Sequence, residues 1–225
     1  MKSRPWLPYV APMAIYLAFL SVQSNDNLVW LYPLKTFTVA VALWWFRREY
    51  TELRPAVSWL GVAVGLVAIA FWIFADRVYP KIDEWLLAFE QLLSRLFNSP
   101  PPKATLTLPF DPSGRWAFIT FRIVGAVLVM PVMEELFWRA FLIRWLVNED
   151  FKSVPVGTFT WPSFLITVGL FGAEHNQWLA GLVCGALYNW LLYRTCSIWA
   201  CVVAHAVSNA ALAAWVLARG DWNFW

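Results

Sequence analysis

Hydrophobic residues in this chain come in long blocks, each set off by a short polar or proline-bearing stretch. Residues 7–22 form the first block and lead into the polar turn "SNDN"; residues 28–46 form the second and end in "RREYTELR". A third block, 56–75, carries Gly61, Ala63 and Gly65, small residues that let helices approach closely inside a membrane. Residues 82–97 follow a different pattern. Trp85, Leu86, Phe89, Leu92, Leu93 and Leu96 recur on one helical face, while Glu84, Glu90, Gln91, Ser94 and Arg95 fall largely outside it. That pattern predicts an amphipathic helix lying in the interface plane, as a cap on the membrane core or as a substrate gate. The "NSPPPKATLTLPFDPSG" that follows predicts a loop.

The second half of the chain is more continuous. An apolar stretch covers 116–147 with Pro131 in its interior, where the missing amide hydrogen is expected to bend or break the helix just before Glu134 and Glu135. Two shorter blocks, 164–173 and 178–193, are separated by "EHNQ", and the first is too short to cross a bilayer comfortably. The last block is 198–218. The pattern as a whole predicts an all-α membrane protein, a polytopic bundle of about seven to eight transmembrane helices with one interfacial amphipathic helix. A single membrane domain, 1–225, divides into three amino-terminal spans (1–75), the amphipathic helix and loop (76–115) and a core (116–218). No internal repeat or low-complexity region interrupts it.

Composition agrees with this picture. Of 225 residues, 60% are hydrophobic and only 14% charged, with a mean hydropathy of +0.56, whereas soluble domains lie nearer half apolar and a quarter charged. The net charge of +3 is modest, and basic residues cluster at block ends, which fits membrane orientation and not nucleic-acid binding. Lys2, Arg4, Arg47, Arg48, Arg54 and Arg194 fall on one side under a seven-span count, which puts the amino terminus in the cytoplasm. Many tryptophans lie near block ends, where an indole prefers the headgroup level. Three cysteines without a C-x-x-C pattern argue against a disulfide framework or a cysteine zinc site. The first block has no small-x-small cleavage site after it, so it is expected to be a span and not a signal peptide.

Ionisable groups inside apolar segments are costly and usually functional. Glu135 and Arg139 are four residues apart, acid before base, so they share a helical face and can pair. Glu134 points about 100° away and has no such partner, which makes it a candidate base. The chain's two histidines, His175 and His205, both lie in or beside apolar blocks. Phe171 and His175 are four apart, as are His205 and Asn209. Carboxylate and imidazole together can activate water, and a histidine with an asparagine can donate hydrogen bonds to an oxyanion. Two histidines and a glutamate could instead hold zinc, although H-E-x-x-H is absent. Ser208 and Cys201 lack a nucleophile context. A non-catalytic scaffold and a proton-coupled transporter use similar residues, but the second calls for repeat symmetry that is not found.

In order, "EELFWR", "FGAEH" and "HAVSN" give E-E-x-x-x-R, F-x-x-x-H and H-x-x-x-N. This set resembles the CPBP family of intramembrane proteases, which includes CAAX prenyl endopeptidases and bacteriocin-processing or bacteriocin-immunity proteins. The resemblance covers about residues 116–218. It implies that Glu134 and His175 activate water, that His205 and Asn209 stabilise the oxyanion, and that Glu135, Arg139 and Phe171 support the site. It further implies a metal-independent enzyme without a cofactor, cleaving a membrane protein or lipopeptide within the lipid bilayer. The zinc-dependent version and an immunity protein are the alternatives. The compact chain suggests a bacterial protein of the inner membrane.

Overall fold

A computed structural model of the chain describes residues 4–24, 27–96 and 116–224. The loop at 98–114, Lys2 and the Arg95 side chain lie outside the described residues. Every apolar block and the amphipathic block form helices: α1 (Leu7–Ser21), α2 (Leu28–Trp45), α3 (Trp59–Ala75), α4 (Ile82–Leu96), α5 (Trp116–Trp145), α6 (Trp161–Ala173), α7 (Trp178–Thr195) and α8 (Ile198–Arg219). No strand occurs among the described residues.

Local chemistry sets the helix starts. Ser58 caps α3, its hydroxyl accepting the amide of Gly61 at 3.1 Å, so that helix begins at Trp59 and not at 56. Thr160 caps α6 by accepting the Ser163 amide at 3.3 Å, and Pro162 occupies the first turn, so α6 begins ahead of the expected 164. Ser197 caps α8 in the same way, through the Ala200 amide at 3.2 Å.

Among the described residues three helices, α2, α5 and α8, are long and apolar enough to cross a membrane; α1, α3 and α6 are apolar but shorter. The exterior carries large apolar side chains, among them Phe37, Trp45, Phe74, Leu128 and Leu165. That surface suits lipid, and the chain is an integral membrane protein. The apolar stripe of α4, from Trp85 to Leu96, is likewise left uncovered. Its amino-terminal end is tied to the loop after α6, where the amides of Ile82 and Asp83 donate to the Asn176 carbonyl and side chain at 3.2 and 3.0 Å.

Pro131 does not break α5. A wide π turn at Gly125–Val129 precedes it, and helical structure continues through both glutamates into a second π segment, Leu136–Leu142. The extra residue in the turn moves the register to i→i−5, so that Met130 donates to the Gly125 carbonyl. Pro131 would be the next donor in that register and has none, so the cost of the proline falls on one carbonyl, that of Ala126.

Helix α8 packs against α3, α7 and α5. The α3–α8 contact is close because Gly61 and Gly65 face it. A Cβ on Gly61 would stand 2.7 Å from the Ala200 carbonyl oxygen, and one on Gly65 would collide with the Ala204 carbonyl beside His205. Ala63, the third small residue of that block, faces outward.

Outside the spans, Glu52 ties the loop after α2 to the end of α5 and to α1. Its carboxylate accepts from Arg144 at 2.7 Å and from the Tyr9 hydroxyl at 2.7 Å. Burial alone would raise the Glu52 carboxyl, but the hydrogen bonds from Arg144 and Tyr9 outweigh it and hold the group below its usual value. A depressed carboxyl contributes stability that is present above its unfolded-state value and is lost as pH falls through the folded-state value. Glu52→Gln is therefore expected to cost about 1.5 kcal/mol at neutral pH, or about 3–6 °C in unfolding midpoint at this chain length. Thermal unfolding in detergent from pH 7 to pH 3 should show the two proteins converging at the acid end; a gap that persists there would refute the assignment.

Candidate active site

The second motif glutamate is the anchor. Glu135 is fully buried, and its Oε1 accepts from Arg139 at 3.2 Å and from His205 Nδ1 at 2.9 Å. The predicted i,i+4 pair thus forms, and the same oxygen reaches across to α8. Arg139 is also buried and fans out to three more groups. Its Nε donates to Asn189 Oδ1 at 3.1 Å, a terminal nitrogen donates to the Gly185 carbonyl at 3.4 Å, and the guanidinium lies 4.6 Å from the Phe171 ring centre. One planar cation thereby joins α5, α6 and α7.

Glu134 points elsewhere. It is 7% exposed and lines a cavity of about 310 Å³ together with His175, His205 and Asn209. Its Oε2 has no hydrogen-bond partner among the described residues and stands 3.9 Å from His205 Nε2. Because a carboxylate only accepts, His205 directs Nδ1–H at Glu135, which leaves Nε2 facing the cavity and Glu134.

His175 reaches the same cavity by a different route. Helix α6 has 13 residues, about 20 Å of rise against a hydrocarbon core of about 30 Å. It therefore stops short, and His175 follows in the turn beyond it. His175 Nδ1 lies 2.7 Å from the Phe171 carbonyl, which can only accept, so Nδ1 carries the hydrogen and Nε2 is free to accept. The Phe171 ring sits between the two imidazoles, 4.8 Å from His175 and 6.2 Å from His205 by ring centres. Short α6 is what reconciles a histidine at one helix end with another in the middle of α8.

Asn209 occupies the position that Pro131 created. Its Nδ2 donates to the freed Ala126 carbonyl at 2.7 Å, and its second amide hydrogen remains for the cavity. Proline, π turn and asparagine are one device spread over two helices.

Of the motif residues, Glu134, Phe171, His175, His205 and Asn209 line this cavity, while Glu135 and Arg139 are buried behind it and reach it through His205 and Phe171. Several others there carry no sequence motif. Tyr188 stacks on His205 at 5.4 Å and exchanges a hydrogen bond with Ser208 at 2.7 Å. Asn189 links Arg139 to the Thr167 hydroxyl, donating to it at 2.9 Å. Lys35 and Arg122 line the far end. A single lysine or asparagine inside an apolar block is the available signal in two of these cases. Among the described residues no group of three His, Cys, Asp or Glu side chains is placed to hold a metal ion.

Residues 116–211 match the family described as type II CAAX prenyl endopeptidase Rce1-like, and all seven motif residues fall within them. No curated protein and no solved structure matches the chain.

Proposed function

From an Rce1-like core at residues 116–211, we propose that this protein is an intramembrane endopeptidase that hydrolyses a peptide bond of a membrane-associated substrate with activated water. What supports the reading above all is the convergence of Glu134, His175, His205 and Asn209, from two helices and a turn, on one cavity. In the proposed step a water rests between the Glu134 carboxylate and His175 Nε2. Glu134 takes its proton as the hydroxide oxygen bonds to the scissile carbonyl carbon, and the carbonyl electron pair moves onto oxygen. The resulting oxyanion accepts from the second Asn209 amide hydrogen and from an Nε2–H of His205, whose Nδ1–H is held by Glu135. Collapse of the oxyanion breaks the carbon–nitrogen bond, and Glu134 returns the proton to the leaving nitrogen. Arg139 and Phe171 position Glu135 and the two imidazoles. With bulk water excluded, each of these electrostatic contacts is stronger than it would be in solution.

The substrate class proposed is a membrane protein or lipopeptide that is lipidated or carries a carboxy-terminal tail, and the location a bacterial inner membrane with the amino terminus in the cytoplasm. Mass spectrometry of membrane-protein carboxyl termini tests both reaction and substrate. Wild-type cells should contain shortened termini that are longer in cells lacking the protein, and His175→Ala at equal expression should reproduce the long forms. Identical termini in all three strains would refute proteolysis and favour a scaffold or immunity role.

A further inference from the structure

The turn that carries His175 is held by two helix starts that cap one another. Between α6 and α7 residues 174–177 are irregular, so no helical hydrogen-bond ladder fixes them. A helix start leaves four amide donors open, and a residue next to it in sequence usually meets one. For α4 the acceptors come from Asn176, 93 positions beyond Asp83. Its carbonyl accepts the Ile82 amide at 3.2 Å, and its side-chain Oδ1 accepts the Asp83 amide at 3.0 Å. Tyr79, just ahead of α4, does the same for α7. Its hydroxyl accepts the Ala180 amide at 3.2 Å, whereas Gln177, which precedes α7, does not cap it through its side chain. Trp178 Nε1 donates to the Pro80 carbonyl at 3.1 Å, and the Trp178 ring lies 5.7 and 6.2 Å from those of Tyr79 and Trp85.

The other partner of α4 is the lipid surface. The end of apolar α3 marks a membrane face, and the short connection from it to α4 is folded tight by Lys81, which donates to the Asp76 carbonyl at 3.0 Å. One face of α4 exposes Trp85, Leu86, Phe89, Leu92 and Leu96, while Asp83, Glu84 and Glu90 make up much of the rest. Such a helix rests at the boundary of headgroups and acyl chains, and its acidic residues make that attraction apolar and not a preference for anionic lipid.

Resting on the protease reading, we infer that Asn176 is a positioning residue for that reaction, through which α4, seated on the lipid, fixes His175 at the activated water. The Phe171 carbonyl sets the direction of the imidazole from the α6 side. Beyond α6 the backbone that bears His175 is next pinned at Asn176, one residue on. Lifting α4 from the lipid therefore loosens the turn and moves His175 Nε2 off the water, a geometry that tolerates little misplacement. Helix α4 and Tyr79 lie outside the family-matched residues 116–211, so this device belongs to the amino-terminal part of this chain.

Amide hydrogen exchange of the full chain in phosphatidylcholine nanodiscs tests the coupling without requiring turnover. Asn176→Ala removes the side-chain acceptor, and Phe89→Glu unseats the apolar face. Each is expected to speed exchange over residues 174–180 about fivefold, the equivalent of one helix cap. Because both act along one path, the double variant should exceed neither single by more than about twofold. Asn176→Asp keeps the acceptor and should restore wild-type exchange. A nitroxide on Phe89→Cys, with Cys196→Ser, should be reached by oxygen in preference to a water-soluble nickel chelate. For a substrate identified from cellular termini, Asn176→Ala and Phe89→Glu should each lower kcat about fivefold at unchanged KM. Exchange that neither variant alters, effects that multiply in the double variant, or a nitroxide open to the chelate overturns the proposal. Wild-type kcat in variants whose turn exchanges faster overturns the positioning role. Faster exchange together with cellular carboxyl termini that do not depend on the protein would uphold the coupling of α4 to the turn and refute the protease reading, so the two failures are separable.

Discussion

Glu134→Gln is expected to lower turnover by about 10³-fold or more, toward the upper end of what loss of a general base costs, while the protein inserts and unfolds at the wild-type temperature. The substitution changes one atom and removes the charge. Because Glu134 Oε2 makes no hydrogen bond among the described residues, an amide nitrogen placed there orphans no partner. The amide cannot take the proton from water at any accessible pH, so the loss falls on kcat. Turnover of a substrate identified from cellular termini, measured beside thermal unfolding in detergent, separates the two effects. Wild-type turnover would remove Glu134 from the mechanism, and a large fall in the unfolding midpoint would make it a structural residue instead.

Arg139→Met should do the reverse and act first on stability. Removing the guanidinium leaves Glu135 with a single hydrogen-bond donor among the described residues, His205, and strips partners from the Asn189 side chain and the Gly185 carbonyl. Breaking a buried pair from one side costs about 3–5 kcal/mol, about 6–20 °C for a chain of this length. Lysine is not expected to rescue it, because an ammonium cannot address α5, α6 and α7 in one plane. Activity should disappear as well, since His205 loses the fixed carboxylate that orients it. An unfolding midpoint within about 2 °C of wild type, equivalent to less than about 1 kcal/mol at this chain length, would show that Arg139 is not the brace this geometry makes it.

These two residues illustrate how differently parts of the site could be read in advance. The Glu135–Arg139 pair follows from helical spacing, and it forms across four residues of one helix. The divergence of Glu134 from Glu135 follows from the same geometry. Neither spacing says that His205, seventy positions later, would share Glu135 with Arg139. Pro131 shows a subtler limit. Its missing donor is legible and points to a bend or a break, and the chain opens a π turn and lets Asn209 satisfy the one stranded carbonyl. In the third block Gly61, Ala63 and Gly65 look alike in sequence; only the first and last face α8, because two residues of helix turn Ala63 to the opposite side.

What the sequence determined by itself is local: which blocks are helical and which polar side chains share a face. Those properties depend on neighbours within about one helical turn, whose geometry is known before folding. The tertiary structure decided the rest. Short α6 brings His175 to the level of His205, the glycine contact seats α8 against α3, and Lys35 joins the lining of a cavity whose motif side chains come from helices distant in the chain. No periodicity encodes such distances, because they arise from how rigid helices of unequal length pack against one another.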